Sequence, residues 1–331
     1  LGNNRTSNFN WVATDNPNVT GESTTPQLLP LINDLLRNFT NVDQDVIYTV
    51  TPTGINGCVG DPFDVTITVQ PEPVGADDTD IACSDIALAY DLQNNLNSLG
   101  NNVSSDFSWR AASNPSVTGE STTPQAGDFI NDVITNVTGV DQIVTYTVTP
   151  TDDTNACVGA DFTIDITINS EPRGQNDTEE VCSDVALTYD LQDNINSLGN
   201  GMASNFLWVA ADNPNVSGES LTPQAGATII DAITNTTGAD ETVVYTVTPT
   251  DGTNACLGDD FTVTITVHSE ALGVDDTDIT CSDDALAYDL QNNVNSLGNG
   301  MASTFSWVAT PNASVAGEST TPQSGNTVND V

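Results

Sequence analysis

The four tryptophans of this chain fall at Trp11, Trp109, Trp208 and Trp307, spaced by 98, 99 and 99 residues, and the rest of the sequence keeps step with them. Cysteines recur at Cys58, Cys157 and Cys256, and again at Cys83, Cys182 and Cys281, each series with a spacing of 99. Gly-Glu-Ser returns at Gly21, Gly119, Gly218 and Gly317, and Tyr-Thr-Val-Thr-Pro-Thr starts at Tyr48, Tyr146 and Tyr245. The single residue of slippage lies between Thr53 and Cys58, where Gly-Ile-Asn-Gly stands in place of residues 152–156. A length change there marks a surface turn, because strands do not tolerate one. Solenoid repeats run to roughly 20–50 residues, so a 99-residue unit is a whole domain. The period therefore divides the chain into an incomplete repeat without its first strand (1–73), two complete repeats (74–172 and 173–271), and the N-terminal half of another (272–331). Leu1-Gly2-Asn3-Asn4 registers with Leu99–Asn102 and Asn329-Asp330-Val331 with Asn131–Val133. Both ends lie mid-domain, and the chain is expected to be a window on a longer array.

Within one unit, Phe162-Thr163-Ile164-Asp165-Ile166-Thr167-Ile168 alternates apolar and polar residues, as does Phe261–Val267. That is the pattern of a half-buried strand. Ile143–Thr149 places Val144, Tyr146 and Val148 on one face, with Pro150 expected to end it. Ala87–Leu92 and Phe107–Ala112 read as further strands, Asn114-Pro115, Gly119 and Pro124 as turns, and Asp128–Asn136 as room for one helical turn. Several short strands in about 100 residues with a tryptophan on a central strand predict an all-β fold: tandem Ig-like sandwiches, arranged as beads on a string. Trp11, Trp109, Trp208, Trp307, Tyr48, Tyr146 and Tyr245 are the expected core aromatics.

Charge narrows the function. There are 46 acidic residues against 4 arginines, no lysine and the one histidine His268, for a net charge of -42. Lysine Schiff bases, isopeptide cross-links and P-loops are excluded, and so is binding to nucleic acid or an anionic membrane surface, which needs clustered Lys and Arg. Glu120, Glu219 and Glu318 recur in every unit as structural residues do, and His268 stands where other copies have Gln70 and Asn169. No catalytic site is expected. Asn-x-Ser/Thr sequons such as those at Asn18, Asn136 and Asn235 are candidates for glycan attachment.

The run Asn213-Pro214-Asn215-Val216-Ser217-Gly218-Glu219-Ser220, the segment Val244–Thr250, the stretch Cys256–Val267 and the opening Cys182-Ser183-Asp184 together resemble the PKD-like domains found in tandem in large secreted surface proteins of Bacteroidota. The Gly-Asp-Gly of true polycystic-kidney-disease domains is absent, since Val209-Ala210-Ala211-Asp212 follows Trp208. The resemblance implies an Ig-like sandwich serving as a stalk or adhesin repeat, exported by the type IX pathway, with gliding motility as one role.

Six cysteines without a Cys-x-x-Cys and with one histidine point to disulfides in an oxidising compartment rather than zinc or redox sites. Two connectivities compete: within a unit, or across a boundary as Cys58 with Cys83. The first is favoured if Cys157, just before the last strand, lies at the entry end of the sandwich beside Cys83. It pairs Cys83 with Cys157 and Cys182 with Cys256, leaving Cys58 and Cys281 to partners outside the window.

Carboxylates crowd the expected interdomain stretches: Glu72, Asp77, Asp78, Asp80 and Asp85; Glu171, Asp177, Glu179 and Asp184; Glu270, Asp275, Asp276, Asp278 and Asp283. Hard oxygen ligands at a junction suit Ca²⁺, which would stiffen the array as in cadherin-like stalks; a solvated acidic linker is the alternative. Asp152, Asp153 and Asp161 read as a charged loop. The expectation is a structural stalk or filament repeat of an extracellular bacterial surface adhesin, not an enzyme, projecting a distal binding region. Its partners are neighbouring repeats, with surface polysaccharide or outer-membrane anchoring machinery beyond them. The alternative is a carbohydrate-binding accessory array of a secreted enzyme.

Overall fold

The computed structural model describes residues 6–331 except 137, 199, 200, 298 and 299. The register of Leu1–Asn4 lies outside the described residues. The chain divides into two compact units, Leu1–Ser170 and Glu171–Val331.

In the first unit, the complete repeat builds one five-stranded sheet in the order Gln125–Ala126, Ser105–Ala111, Gln142–Asp152, Phe162–Asn169, Asp78–Cys83. Against it lie two short antiparallel pairs, Tyr90–Asp91 with Phe129–Ile130 and Val117–Thr118 with Thr135–Asn136, and a short helix, Gln93–Ser98. The apolar rows face inward as their alternation predicts: Val144, Tyr146, Val148, Ile164, Ile166 and Ile168 are buried with Phe107 and Trp109 against Leu92, Leu96, Ile130 and Ile134. The second unit repeats the design with strands Ser204–Ala210, Glu241–Asp251, Phe261–His268 and Asp177–Cys182 around Trp208 and Tyr245. Each indole meets the tyrosine ring of the long strand edge-on, Trp109 with Tyr146 and Trp208 with Tyr245 at 5.7 Å.

The first strand, Asp78–Cys83, runs parallel to the last, with Ile164 opposite Asp78 and Asn169 opposite Cys83. It is the sheet edge, and its carboxylates are the charge that keeps an exposed edge from pairing with other chains. The acidic stretch is thus a strand rather than a linker. Ala87–Leu92 is not the expected strand: only Tyr90–Asp91 pairs, and the Asp91 carboxylate accepts the Gln93 N–H at 3.1 Å to start the helix that buries Leu92 and Leu96. Asp128–Asn136 holds two strands instead of a helical turn. The long strand continues through Pro150 to Asp152. Beyond Val148 its partner Phe162–Asn169 has not yet begun, so the ring displaces no ladder bond there, and the Pro150 carbonyl accepts the Gly159 N–H.

Residues 6–73 form a three-stranded sheet, Ser7–Ala13, Gln44–Gly54 and Phe63–Val69, around Trp11 and Tyr48, and one short antiparallel pair, Val19–Thr20 with Arg37–Asn38. No helix or first strand covers them among the described residues. Phe63 and Ile67 are accordingly 48% and 40% exposed, where their counterparts Phe162 and Ile166 are 3% and 1%. Residues 276–281 form no strand, because residues 272–331 offer no last strand to pair with, and Trp307 is half-buried rather than a full core residue.

Candidate functional site at the repeat junction

In the first unit the segment joining two repeats is fixed from both sides. Pro71 and Pro73 are buried. The Asn101 side chain, which follows the helix of the second repeat, donates through Nδ2 to the Glu72 carbonyl at 3.3 Å and accepts the Val74 N–H at 3.2 Å. Arg37 of the first repeat approaches the Glu72 carboxylate at 3.6 Å and stacks over Phe39. Arg37, Phe39, Glu72, Val74 and Asn101 border a shallow cleft. Gly75 lies against the Phe162 ring, and a Cβ on Gly159 would stand 1.9 Å from the Pro73 carbonyl oxygen. A Pro-rich segment pinned by hydrogen bonds at each end bends little.

The cysteines differ from expectation. Cys83 and Cys256 are disulfide-bonded, and Cys58, Cys157, Cys182 and Cys281 are free thiols. The within-unit pairings Cys83 with Cys157 and Cys182 with Cys256 are therefore not formed. The parallel register is the reason: Cys83 sits beside Asn169, where the last strand ends, and Cys157 precedes Phe162, where it begins. Seven residues at about 3.3 Å each put roughly 23 Å between those ends, beyond the reach of a disulfide. Cys157 instead donates its S–H to Oε1 of Gln70 in the preceding repeat at 3.6 Å. Burial, then the charges of Asp152, Glu72 and Asp43, push its thiol pKa up.

The expected calcium ligands do not converge. Asp77 accepts the Thr163 N–H at 2.7 Å, which holds its carboxyl below the usual range. Asp78, Asp177 and Asp276 each accept a tyrosine hydroxyl, from Tyr90, Tyr189 and Tyr288 at 2.6–2.7 Å. Asp80 and Asp278 cap their own next N–H, and Asp85 and Asp184 accept from Thr135 and Thr234. Among the described residues no three His, Cys, Asp or Glu side chains gather as a ligand set. Of the fourteen candidate carboxylates, Asp78, Asp80, Asp177 and Glu179 lie on edge strands, where period-2 alternation spaces them along the sheet, and Glu72, Asp77, Asp85, Glu171, Asp184, Glu270, Asp275, Asp276, Asp278 and Asp283 lie outside those strands.

Other recurrent polar residues are structural. Asp132 accepts from the Ser121 N–H, the Ser121 hydroxyl and the buried Tyr146 hydroxyl at 2.7, 2.7 and 2.8 Å, and Asp231 and Asp34 repeat this with Ser220 and Tyr245, and Ser23 and Tyr48. Glu120, Glu219 and Glu318 accept the N–H of Asn114, Asn213 and Asn312. Asp152 is buried and caps the turn before Cys157 by accepting from Thr154 and Asn155. The sequons at Asn136 and Asn235 are locks: each buried amide donates to two backbone carbonyls, Val140 and Ile168, or Ala239 and Val267. Each also accepts from the threonine two residues on, Thr138 or Thr237. Their side chains are not available to a glycan. This Asn-x-Thr lock repeats at Asn38, Asn136 and Asn235 in step with the period, a signal that reading it only as a sequon conceals. His268 lies exposed between Asp240 at 3.0 Å and Glu180 at 3.4 Å, and its bond to Asp240 first, then to Glu180, raises its pKa.

Open sandwiches repeated in series, with a packed linker and structural carboxylates, define a tandem β-sandwich repeat protein. The sequence matches the PKD-like domain family over residues 3–73, 80–172, 179–271 and 278–331, and the chain belongs to that family. No curated protein matches it significantly in sequence. Similar solved structures include protocadherin gamma B2 extracellular cadherin domains 1–5 (9% identity, TM-score 0.22), covering 85% of this chain and 57% of that one. Mouse cadherin-23 EC22–24 is 9% identical with a TM-score of 0.23, over 79% of this chain and 86% of that one. The Bacteroides ovatus mixed-linkage glucan utilization protein SGBP-B is 10% identical with a TM-score of 0.15, over 79% and 60%. The chain spans little more than half the length of the protocadherin it resembles.

Proposed function

We propose that this chain is the load-carrying section of an extracellular stalk or filament on a bacterial surface, of the adhesin type used for attachment or gliding, which holds a distal binding region away from the cell. The observation that carries the reading is the junction in the first unit, where buried Pro71 and Pro73 and the two Asn101 hydrogen bonds restrict bending between repeats. Membership of the PKD-like family in four tandem matches and the presence of disulfide-bonded cysteines, which persist in oxidising compartments, support it. Neighbouring repeats are the first partners, and surface polysaccharide or outer-membrane anchoring machinery the outer ones. Antibodies against the repeats, applied to intact cells of the source organism, test it: labelling that is removed by external protease is expected, and labelling only after lysis refutes it. A carbohydrate-binding array is less well supported, because Trp109 and Trp208 are buried rather than presented as a sugar platform. Retention of a two-repeat fragment on a glycan array would reinstate that alternative.

A further inference from the structure

In both complete repeats the first strand is paired in parallel with the last through six residue pairs. Asp78–Cys83 lies along the last strand from Ile164 to Asn169, and Asp177–Cys182 from Val263 to His268. The chain therefore enters a repeat beside the start of its last strand and leaves it beside the end of its first. Entry and exit stand at opposite ends of one strand pair, about 17 Å apart at 3.3 Å per residue. Tension between them draws the two strands along their axis in opposite directions and loads the bonds between them together. An antiparallel pair would put both ends on one side and open bond by bond. We propose that the parallel pairing of first and last strand is the force-bearing clamp of each complete repeat, which stays shut while the chain is pulled from its ends. The clamp gives the stalk reading its mechanics and rests on it for the source of the load.

Side chains extend the pair at both ends. Ahead of the ladder, Oδ1 of Asp77 accepts the Thr163 N–H at 2.7 Å, and Oδ1 of Asn176 accepts the Thr262 N–H at 2.8 Å. Behind it, the Ser84 N–H reaches the Asn169 carbonyl at 3.1 Å and the Ser183 N–H the His268 carbonyl at 3.0 Å. The buried Asn136 then ties the two strands together: its backbone N–H donates to the Ser84 hydroxyl and its side-chain amide to the Ile168 carbonyl, each at 3.0 Å. Asn235 does the same with Ser183 and Val267, at 3.0 and 2.9 Å. The lock that recurs with the period thus sits where the last strand leaves the repeat. Alternation decides which N–H groups carry load. Ser84 donates to the last strand, so Asp80 and Ala82, in phase with it, face that strand too. Ile81, out of phase, gives its N–H to the Asp80 carboxylate at 2.8 Å instead.

The test is force spectroscopy of the full chain with its cysteines reduced. Pulled by its ends, it should show one force peak for each complete repeat, each releasing roughly 300 Å as residues 78–169 or 177–268 extend at about 3.4 Å each. Extension of those residues without a peak overturns the proposal. Handles moved to Val74 and Ala160, both at the entry end where Gly159 meets Pro73, peel the same pair open one bond at a time. The peak of that repeat should then fall at least roughly twofold, and equal force in the two directions overturns the clamp. Asp80→Pro removes a donor that faces the last strand and should lower one of the two end-pulled peaks. Ile81→Pro removes one on the open side of the edge, where proline is tolerated, and should leave both peaks in place. If Asp80→Pro fails to fold by circular dichroism, Asp77→Ala replaces it, because it releases the Thr163 N–H without touching the backbone. Forced unfolding reads the unfolding rate, so an equal loss of force in the Ile81 variant and in the Asp80 or Asp77 variant marks general destabilisation and refutes the clamp. A failed clamp leaves surface labelling of the stalk as expected, and labelling only after lysis leaves the force peaks as expected, so the two readings fail separately.

Discussion

Replacing Asp132 by alanine removes the acceptor shared by the Ser121 N–H, the Ser121 hydroxyl and the Tyr146 hydroxyl. Water can reach the half-buried Ser121 and replace part of what is lost there, but Tyr146 is 0% exposed, so its hydroxyl would stay unpaired inside the sandwich. Hydrogen bonds to a charged group contribute about 1.5–3 kcal/mol each, and a stranded buried donor costs about 1–3 kcal/mol. With the exposed share discounted, Asp132→Ala should destabilise the second repeat by about 2–4 kcal/mol. Tyr146→Phe, which removes only the hydroxyl and leaves Asp132 two donors, should cost about 1 kcal/mol. If the pair acts through its mutual bond, the double variant should fall short of the sum by about 1–2 kcal/mol. Hydrogen exchange of peptides from Gln142–Asp152 reads the opening energy of this repeat, and the unaltered Asp231–Tyr245 network in Glu241–Asp251 is the internal control. A coupling below about 0.3 kcal/mol, within the additivity of independent sites, would refute the claim that Asp132 anchors the tyrosine of the long strand.

All six tyrosines have phenol pKa values above the ordinary one, chiefly from burial in Tyr48, Tyr90, Tyr146, Tyr189 and Tyr245 and from the bond to Asp276 in Tyr288. A folded pKa above the unfolded value, about 10, stabilises the fold fully below that pH and is lost as the pH rises beyond it. The phenolate absorbance of the fully buried Tyr48, Tyr146 and Tyr245 should therefore appear only as the circular dichroism of the strands collapses; their reversible ionisation near pH 10 in folded protein contradicts this. Gly119 has φ +96° and a Cβ there would stand 2.1 Å from the Val133 carbonyl oxygen, so Gly119→Ala should cost at least about 1–2 kcal/mol from the left-handed backbone alone, read as earlier unfolding in denaturant. Since the junction carboxylates do not converge, a chelator should leave the melting temperature unchanged, and a rise on adding Ca²⁺ would show a ligand set that these side chains assemble only with the ion.

The inner face of the sandwich was legible because alternation at Phe162–Ile168 and Val144–Val148 carries its own orientation: one residue of slip would bury threonines and expose isoleucines. The short helix was less so. Its apolar signal is the pair Leu92 and Leu96, too few residues for a helical period to show, and its start depends on an Asp91 side-chain bond. Hardest to read was Asp78–Cys83, where Asp78 and Asp80 argue against a strand by composition. What makes it a strand is the edge of Phe162–Asn169, more than 70 residues later in the chain, which offers a row of unpaired backbone groups in parallel register. The same dependence appears in reverse at residues 276–281, which carry nearly the same residues and form no strand without such an edge. The position of the cysteines depends on that same element. A parallel first strand carries Cys83 to the end of the sandwich where Phe162–Asn169 finishes, and an acidic linker would have left it at the entry beside Cys157, so the direction of one edge strand decides which end of its own sandwich the sulfur occupies.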